Sequence, residues 1–275
     1  MKIVVSFWLF IVTVLFFVSC EDIPEYNNSK PLAVVEAYLF NQQPITDIVL
    51  KKVTPFEGGD QVDYISDANL YLQTGEHEFL LNPVEGKEGH YSYQGDDLQV
   101  TIGNTYKLFF DYDGKQVWGE TVVPAEPENL SLSENEIYIT QLVDLSDASD
   151  FLNDINQSLT LEWENSTSDY YYITIENLEE NPEPMELSDK VDLNFEFVSR
   201  PVQDNYFLIR PVIHFLNYGT HKLTLYHVNK EYALMYESLN QDSRNLNEPY
   251  TNINNGVGIF SAFASKTILF EVKKR

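Results

Sequence analysis

The chain has 275 residues, and its 43 acidic against 17 basic side chains give a formal net charge of −26. A surface of this charge repels nucleic-acid phosphates and anionic lipid headgroups, which excludes nucleic-acid binding and attachment to a membrane through a basic patch. Hydrophobic residues make up 43% of the sequence, which is enough for a folded core, and the length fits one large or two ordinary domains. The 18 Tyr and 17 Phe favour β-sheet, because aromatic side chains suit pleated, half-buried surfaces.

The N-terminus has the pattern of an export signal. Lys2 precedes an uncharged apolar run that ends at Val18, shorter than the about 20 residues of a membrane-spanning helix. Cys20 follows as the single cysteine, so it cannot form a disulfide within the chain. A lone cysteine directly after an export signal indicates lipidation, and the order resembles the lipobox of bacterial lipoproteins, with Phe17 where that box prefers Leu. We therefore expect residues 1–19 to be a lipoprotein signal peptide; an uncleaved anchor helix and secretion with a free thiol are the alternatives.

Polar and acidic residues follow the lipidated cysteine, and they predict a flexible acidic tether over residues 20–31. Ten extended residues span roughly 30 Å, so such a tether holds a folded body clear of the membrane surface. Glu21 and Asp22 resemble the surface-export signal of Bacteroidota lipoproteins, which implies a protein that faces the cell exterior. Simple solvation of a linker is the alternative explanation for these acids.

The body is predicted to be built from short strands, because from residue 32 onward apolar residues mostly recur every second position. Asp113-Gly114 lies between two such runs and predicts a two-residue hairpin turn. The proline-rich stretch 124–127 predicts a domain boundary, since proline removes donors from a sheet ladder. We expect an N-terminal β-sandwich over residues 32–124 and a C-terminal β-rich domain over residues 128–275.

The second half resembles a fibronectin type III domain at its start. A strand over 159–163 that contains Trp163 is followed by a polar turn and then by a Tyr-rich strand over 170–176. The acidic segment 141–157 is predicted to be a loop or a short helix, and the last strand is expected at 266–272. Apolar residues at i, i+3, i+4 and i+7 predict an amphipathic helix over 230–239. The predicted fold is mainly β, with two consecutive β-sandwich domains of immunoglobulin or fibronectin III type and one short amphipathic helix in the second.

No residue pattern predicts catalysis, and we expect no enzyme activity, no metal site and no other cofactor. The histidines show no i, i+4 metal spacing, and no cysteine lies near them: His77, His90, His214, His221 and His227. The run Asp111-Tyr112-Asp113-Gly114 begins like a calcium loop, but its glycine comes too early and the twelfth position carries no Glu. Serine hydrolase motifs of the G-x-S-x-G type are absent.

Outward-facing aromatic residues are the candidates for a ligand surface. Their strand positions predict that the following four side chains point away from the core: Tyr71, Trp118, Tyr170 and Tyr172. Rings on a sheet surface suit stacking with sugars. The alternative is that they stabilise the sheet as cross-strand pairs or cover a domain interface.

Several segments together resemble the Bacteroidota lipoprotein family called domain of unknown function 4249. Besides Cys20, the segments are PLAVVEAYL (31–39), DANLYL (67–72), GNTYKL (103–108), VVPAEP (122–127) and TNINNGVGIFSAF (251–263). Members are often encoded beside TonB-dependent outer-membrane receptors, and no catalytic residues are known for them. The last segment carries the most specific pattern, for which we expect a structural role rather than a ligand loop, with Phe260 buried: Asn252, Gly256, Gly258 and Phe260.

The resemblance implies a non-enzymatic lipoprotein anchored in the outer membrane through Cys20 and facing the cell exterior. Its expected role is surface binding, or an accessory role in a TonB-dependent uptake system with the receptor as partner. The alternatives are a hydrolase that acts on glycans or peptides, for which the abundant carboxylates are the only indication, and a purely structural envelope protein.

Replacing Cys20 tests the anchor. The Cys20→Ala protein is expected to lose incorporation of a labelled fatty acid and to leave the membrane fraction, because acyl chains contribute about 0.8 kcal/mol per buried CH₂ and a basic patch is absent from the sequence. Metabolic labelling and fractionation measure both effects, with Ser19→Ala as the neighbouring control. Equal labelling of wild type and Cys20→Ala would contradict the prediction.

Overall fold

The computed structural model describes residues 32–46, 48–53, 62–185, 196–239 and 249–275. The predicted signal peptide, Cys20 and the tether up to residue 31 lie outside these described residues. The fold is mainly β, as predicted. The strands are β1 (Ala33–Phe40), β2 (Ile48–Lys52), β3 (Leu70–Thr74), β4 (His77–Pro83), β5 (His90–Ser92), β6 (Thr105–Tyr112), β7 (Lys115–Val122), β8 (Glu128–Leu132), β9 (Glu136–Ile139), β10 (Leu159–Glu164), β11 (Tyr170–Asn177), β12 (Phe197–Val198), β13 (Tyr206–Ile209), β14 (Gly219–Val228) and β15 (Val257–Lys274).

The first half of the body is a single sheet that returns to its own starting strand. Its strands follow the order β15-β1-β2-β5-β4-β3-β6-β7. A bridge then joins β7 to the residues just before β15: Trp118 N donates to Asn254 O at 3.2 Å, and Asn254 N donates to Trp118 O at 2.7 Å. Alternate side chains from all around this path, such as Leu50, Leu72 and Phe110, form one buried cluster.

The second half is a two-layer sandwich of fibronectin III type. One layer is the three-stranded sheet β13-β10-β8, and the other contains β12-β11-β14-β15 with β9 beside β15. Leu161 and Trp163 of the first layer and Ile173, Leu225 and Phe270 of the second lie in one buried cluster. The consecutive strands β10 and β11 lie in opposite layers, so the polar turn between them crosses from one layer to the other. This segment is the one that the sequence predicted as the start of a fibronectin-like domain.

Two helices accompany the strands in the described residues. Helix α2 (Lys230–Leu239) has the predicted bounds, and α1 (Ala148–Ile155) lies in the acidic segment for which a loop or a short helix was predicted. The buried carboxylate of Asp154 holds α1 in place: it accepts from Thr140 N at 2.8 Å and from the Arg275 guanidinium at 2.5 Å. Neither helix is long and apolar enough to cross a membrane.

The 18-residue strand β15 belongs to both cores. Its first part pairs in parallel with β1, from Val257 to Phe263, and most of its length pairs antiparallel with β14. Phe260 lies in the first buried cluster and Phe270 in the second. The predicted boundary at 124–128 stays a prediction, but residues of the predicted C-terminal domain complete the core of the N-terminal half.

The prediction that the last strand spans 266–272 was too short. The segment from Ile259 to Ala264 is buried at every position, so both faces of the strand are covered and the alternation that marks a half-buried strand is missing. The sequence pattern therefore predicted only the later part of β15, where one face of the strand is exposed to solvent.

Glycine allows β15 to approach β1 closely. Gly258 has φ +111°, and a Cβ there would lie 2.1 Å from Val35 O. The side chain of Asn252 fixes the entry into this strand, because its Nδ2 donates to Phe260 O at 2.7 Å and its Oδ1 accepts from Phe260 N at 2.9 Å. Phe260 is fully buried. The structure therefore gives this segment the structural role that the sequence suggested.

Gly258→Ala is expected to lower the free energy of unfolding by more than about 3 kcal/mol, because it adds a backbone collision to an unfavourable φ. Gly114→Ala is the control: Gly114 also has a positive φ, but a Cβ there meets nothing within 4 Å, and a loss of about 1–2 kcal/mol is expected. Chemical denaturation measures both values.

The same variant tests whether the shared strand couples the two cores. Hydrogen exchange is expected to accelerate in β6 and in β10 together when Gly258 is replaced, although β10 belongs to the three-stranded sheet, which does not contain β15. Acceleration confined to β6 would show that the two halves open independently.

Candidate functional site

The outer face of four neighbouring strands, β4, β3, β6 and β7, carries a row of large apolar side chains. In the strand register Leu80 lies opposite Tyr71, Tyr71 opposite Phe109, and Phe109 opposite Trp118. These residues point outward because their chain neighbours, such as Leu72, enter the core. We call Tyr71, Phe109 and Trp118 the aromatic row.

Polar residues flank the aromatic row on both sides. Asp111, two residues after Phe109 on β6, lies opposite Gln116, two residues before Trp118 on β7. Asn69, directly before β3, extends the same line. On the other side Gln73 lies opposite Lys107, which lies opposite Glu120. We call the first set (Asn69, Asp111, Gln116) the amide–carboxylate row and the second set (Gln73, Lys107, Glu120) the lysine row.

Two rings of the aromatic row contact each other, and all three remain half-buried. Tyr71 and Phe109 are stacked, with ring centroids 5.4 Å apart and planes 15° apart. Lys107 Nζ lies 4.9 Å from the Trp118 ring centroid and 5.8 Å from that of Phe109, which is cation–π geometry. Tyr71 and Trp118 were predicted to face outward. Phe109 was not among the candidates for a ligand surface, although the alternation of β6 places it on the outer face.

A cavity of about 260 Å³ opens between the aromatic row and the amide–carboxylate row. Besides Ala68 and the buried Phe110, its lining combines two half-buried aromatic rings, two carboxylates and two amides: Tyr71, Phe109, Asp67, Asp111, Asn69 and Gln116. No Lys, Arg or His is among the residues that line it. The cavity therefore presents apolar ring surface next to acceptors and donors of hydrogen bonds, without a positive charge.

A buried tyrosine positions the loop that supplies Asp67. Tyr91 is fully buried, accepts a hydrogen bond from Ala68 N at 3.0 Å and donates one to Ile65 O at 2.9 Å. Burial raises the pKa of Tyr91, which keeps its phenol protonated and able to donate. These two hydrogen bonds attach the loop before β3 to Tyr91 of β5, which lies in the core.

The other two predicted aromatic residues lie elsewhere. Tyr172 belongs to a cluster of six rings contributed by β1, β11, β14, β15 and α2: Tyr38, Phe40, Tyr172, Tyr226, Tyr232 and Phe263. Burial raises the pKa of Tyr38 to about 12 and raises that of Tyr172 as well. These rings pack on each other and hold α2 on the sheet, so they form an internal contact. Tyr170 pairs with Val228 at the end of β11, apart from the aromatic row.

The model of the family described as domain of unknown function (DUF4249) matches residues 21–268. The chain belongs to this family. None of the curated proteins compared with it matches in sequence. Two solved structures that it resembles are domains A168–A170 of titin, at 7% identity, and the FN1–FN3 domains of chicken CNTN1, at 12% identity.

These structural likenesses cover 90% and 89% of this DUF4249 chain and 67% and 66% of the respective structures. Their TM-scores are 0.22 and 0.19, so they carry no argument about function.

The histidines of this DUF4249 protein do not come together as a site. No three His, Cys, Asp or Glu side chains of the described residues are placed to bind one metal ion. His221 is buried and stacked on Phe270, with ring centroids 5.1 Å apart. Its Nδ1 lies 3.1 Å from Gly219 O and its Nε2 lies 3.2 Å from Asn177 Nδ2, a pair of contacts that a neutral imidazole satisfies as donor and acceptor.

Burial lowers the pKa of His221 to about 4. Above pH 6.5 the imidazole is neutral in the folded and the unfolded chain, so the pKa difference has no effect there. Between pH 6.5 and 4 the unfolded chain binds a proton first, and the free energy of unfolding is expected to fall by up to about 3 kcal/mol as the pH decreases.

Denaturation curves at several pH values, compared between wild type and His221→Gln, measure this contribution. The variant is expected to show a shallower decrease in this pH range. His77→Gln, the same substitution at an exposed histidine, serves as the control. Parallel curves for wild type and His221→Gln would contradict the prediction.

Proposed function

We propose that this DUF4249 protein is a non-enzymatic, lipid-anchored binding protein of the outer membrane, accessory to a TonB-dependent uptake receptor and facing the cell exterior. The observation that carries the proposal is the cavity beside the aromatic row. It combines ring surface with hydrogen-bonding side chains on a face of the sheet, which is the composition of a small-molecule or glycan binding site.

The charge of the chain supports anchoring by lipid rather than by protein surface. A net charge of −26 opposes contact with anionic headgroups, so a stable membrane attachment needs buried acyl chains. Cys20 is the single position in the sequence where a thiol is offered for acylation. Twelve residues then separate it from Ala33, where β1 begins.

The build of the candidate site supports ligand binding. Its side chains are supplied by three paired strands, β3, β6 and β7, and by a loop that Tyr91 attaches to the core. Such a site is pre-formed, so little conformational entropy is lost when a ligand binds. The accessory role itself rests on the resemblance to a family whose members are often encoded beside TonB-dependent receptors.

Copurification tests the accessory role. An epitope is best inserted at Gly86, in the exposed turn between β4 and β5 where a Cβ meets nothing within 4 Å, because the C-terminal Arg275 contacts Asp154. Outer membranes are solubilised, the tagged protein is captured, and copurified proteins are identified by mass spectrometry. A TonB-dependent receptor is expected with the wild type and not with the Cys20→Ala form, which would be released from the membrane.

Protease treatment of intact cells tests the orientation, and digestion of the tagged protein is expected. Recovery of the wild type from outer membranes without any receptor would contradict the accessory role. Protection from protease in intact cells, with digestion after lysis, would contradict the exterior location.

A further inference from the structure

We propose that the cavity beside the aromatic row binds a neutral pyranose unit of an oligosaccharide or polysaccharide. The inference rests on the proposed binding function and specifies its ligand class. It is carried by the chemistry of the two aromatic, two carboxylate and two amide side chains named above, which line the cavity together with Ala68 and Phe110, and by their order on the sheet.

The aromatic side of the cavity suits the apolar face of a sugar ring. The axial C–H groups of a pyranose form a weakly polar surface, and rings of Tyr and Phe bind such a surface while excluding water. Tyr71 and Phe109 are half-buried, so they are fixed in position and still offer ring surface to a ligand.

The opposite side of the cavity suits the hydroxyl groups. Asp67 and Asp111 are acceptors, whereas the amides of Asn69 and Gln116 both donate and accept. A sugar hydroxyl also donates and accepts, so neighbouring hydroxyls on one ring edge can bind a carboxylate and an amide together. Hydrogen bonds to ionised carboxylates are roughly twice as strong as neutral ones, which favours this arrangement.

The lining selects against anionic ligands. Phosphate, sulfate and uronate groups find no Lys, Arg or His in the cavity and meet two carboxylates instead. A metal ion is not favoured either, since the described residues form no group of three ligands. Lys107 Nζ lies near the rings of Phe109 and Trp118, so a ligand cation that approaches this part of the aromatic row meets a like charge.

The dimensions fit a single sugar ring with room for its neighbours along a chain. A volume of about 260 Å³ lies below the about 300–1,000 Å³ of pockets for drug-sized ligands. Adjacent strands are about 4.8 Å apart, so the aromatic row extends about 10 Å across the sheet from Tyr71 to Trp118. Further units of a linear glycan can therefore contact Phe109 and Trp118.

Affinity electrophoresis of the full-length protein in detergent tests the proposal. Native gels contain dextran, mannan or a neutral galactan, and retardation by at least one of them is expected. The apparent Kd is expected to rise at least tenfold in Asp111→Ala and in Phe109→Ala. Glu120→Ala is the matched control, because it removes an exposed carboxylate from the same face of the same hairpin on the other side of the aromatic row, and it should bind like the wild type.

Phe109→Ala removes packing and can affect folding, so Asp111→Asn provides the second variant. It keeps the shape of an exposed side chain and removes only the charge, and a severalfold rise in Kd with an unchanged circular dichroism melting curve is expected. Equal retardation of wild type and Asp111→Asn by every neutral glycan would overturn the proposal.

Three further outcomes would overturn it: no neutral polysaccharide retards the wild type, retardation depends on a metal ion that EDTA removes, or the protein prefers polygalacturonate or a casein peptide digest. Receptor copurification is measured on the same samples. If the receptor copurifies but no neutral glycan binds, the ligand class is wrong and the accessory role remains. If glycan binds without a receptor, the accessory role is wrong and the ligand class remains.

Discussion

The parallel pairing of β1 with the first part of β15 is the interaction on which the rest of the structure depends. Val34 pairs with Val257, so the first and the last strand of the described body are neighbours. Parallel neighbours need a crossover connection, and here the crossover is nearly the whole described chain. Since β15 continues into the sandwich of the second half beside β14 and β9, one strand is buried in both halves. Gly258 has no Cβ, and this allows the two strands to reach pairing distance.

Local patterns in the sequence predicted the elements that depend on local physics. The Asp113-Gly114 turn fixed the β6–β7 hairpin, and the apolar spacing of residues 230–239 fixed α2, because turn chemistry and helical periodicity act over a few residues. The double role of β15 was not predictable in this way. Its first part is covered on both faces, which removes the alternation, and a hydrophobic period of two does not tell which strand is the partner.

The candidate site was predictable in part for the same reason. A two-residue turn at 113–114 sets Phe109 opposite Trp118, so this half of the aromatic row follows from the sequence. The position of Tyr71 beside Phe109 does not follow, because two further strands, β4 and β5, lie between β3 and β6 in the chain. The cavity lining does not follow from the strand pattern either, because the loop that carries Asp67 is held by a hydrogen bond to the buried Tyr91.

The two aromatic groups of the sheet show why composition alone does not identify a binding surface. Tyr71 and Tyr172 have the same outward parity on their strands, and both contact rings of neighbouring strands. Tyr232 of α2 packs against Tyr172, and the burial that follows raises the pKa of the Tyr172 phenol, so that group of rings joins the helix to the sheet. Beside Tyr71 the neighbouring space is a cavity with carboxylates and amides at its edge. A ring that a helix covers contributes to stability, whereas a ring that borders such a cavity retains surface for a ligand, and this difference arises from tertiary packing rather than from the strand sequence.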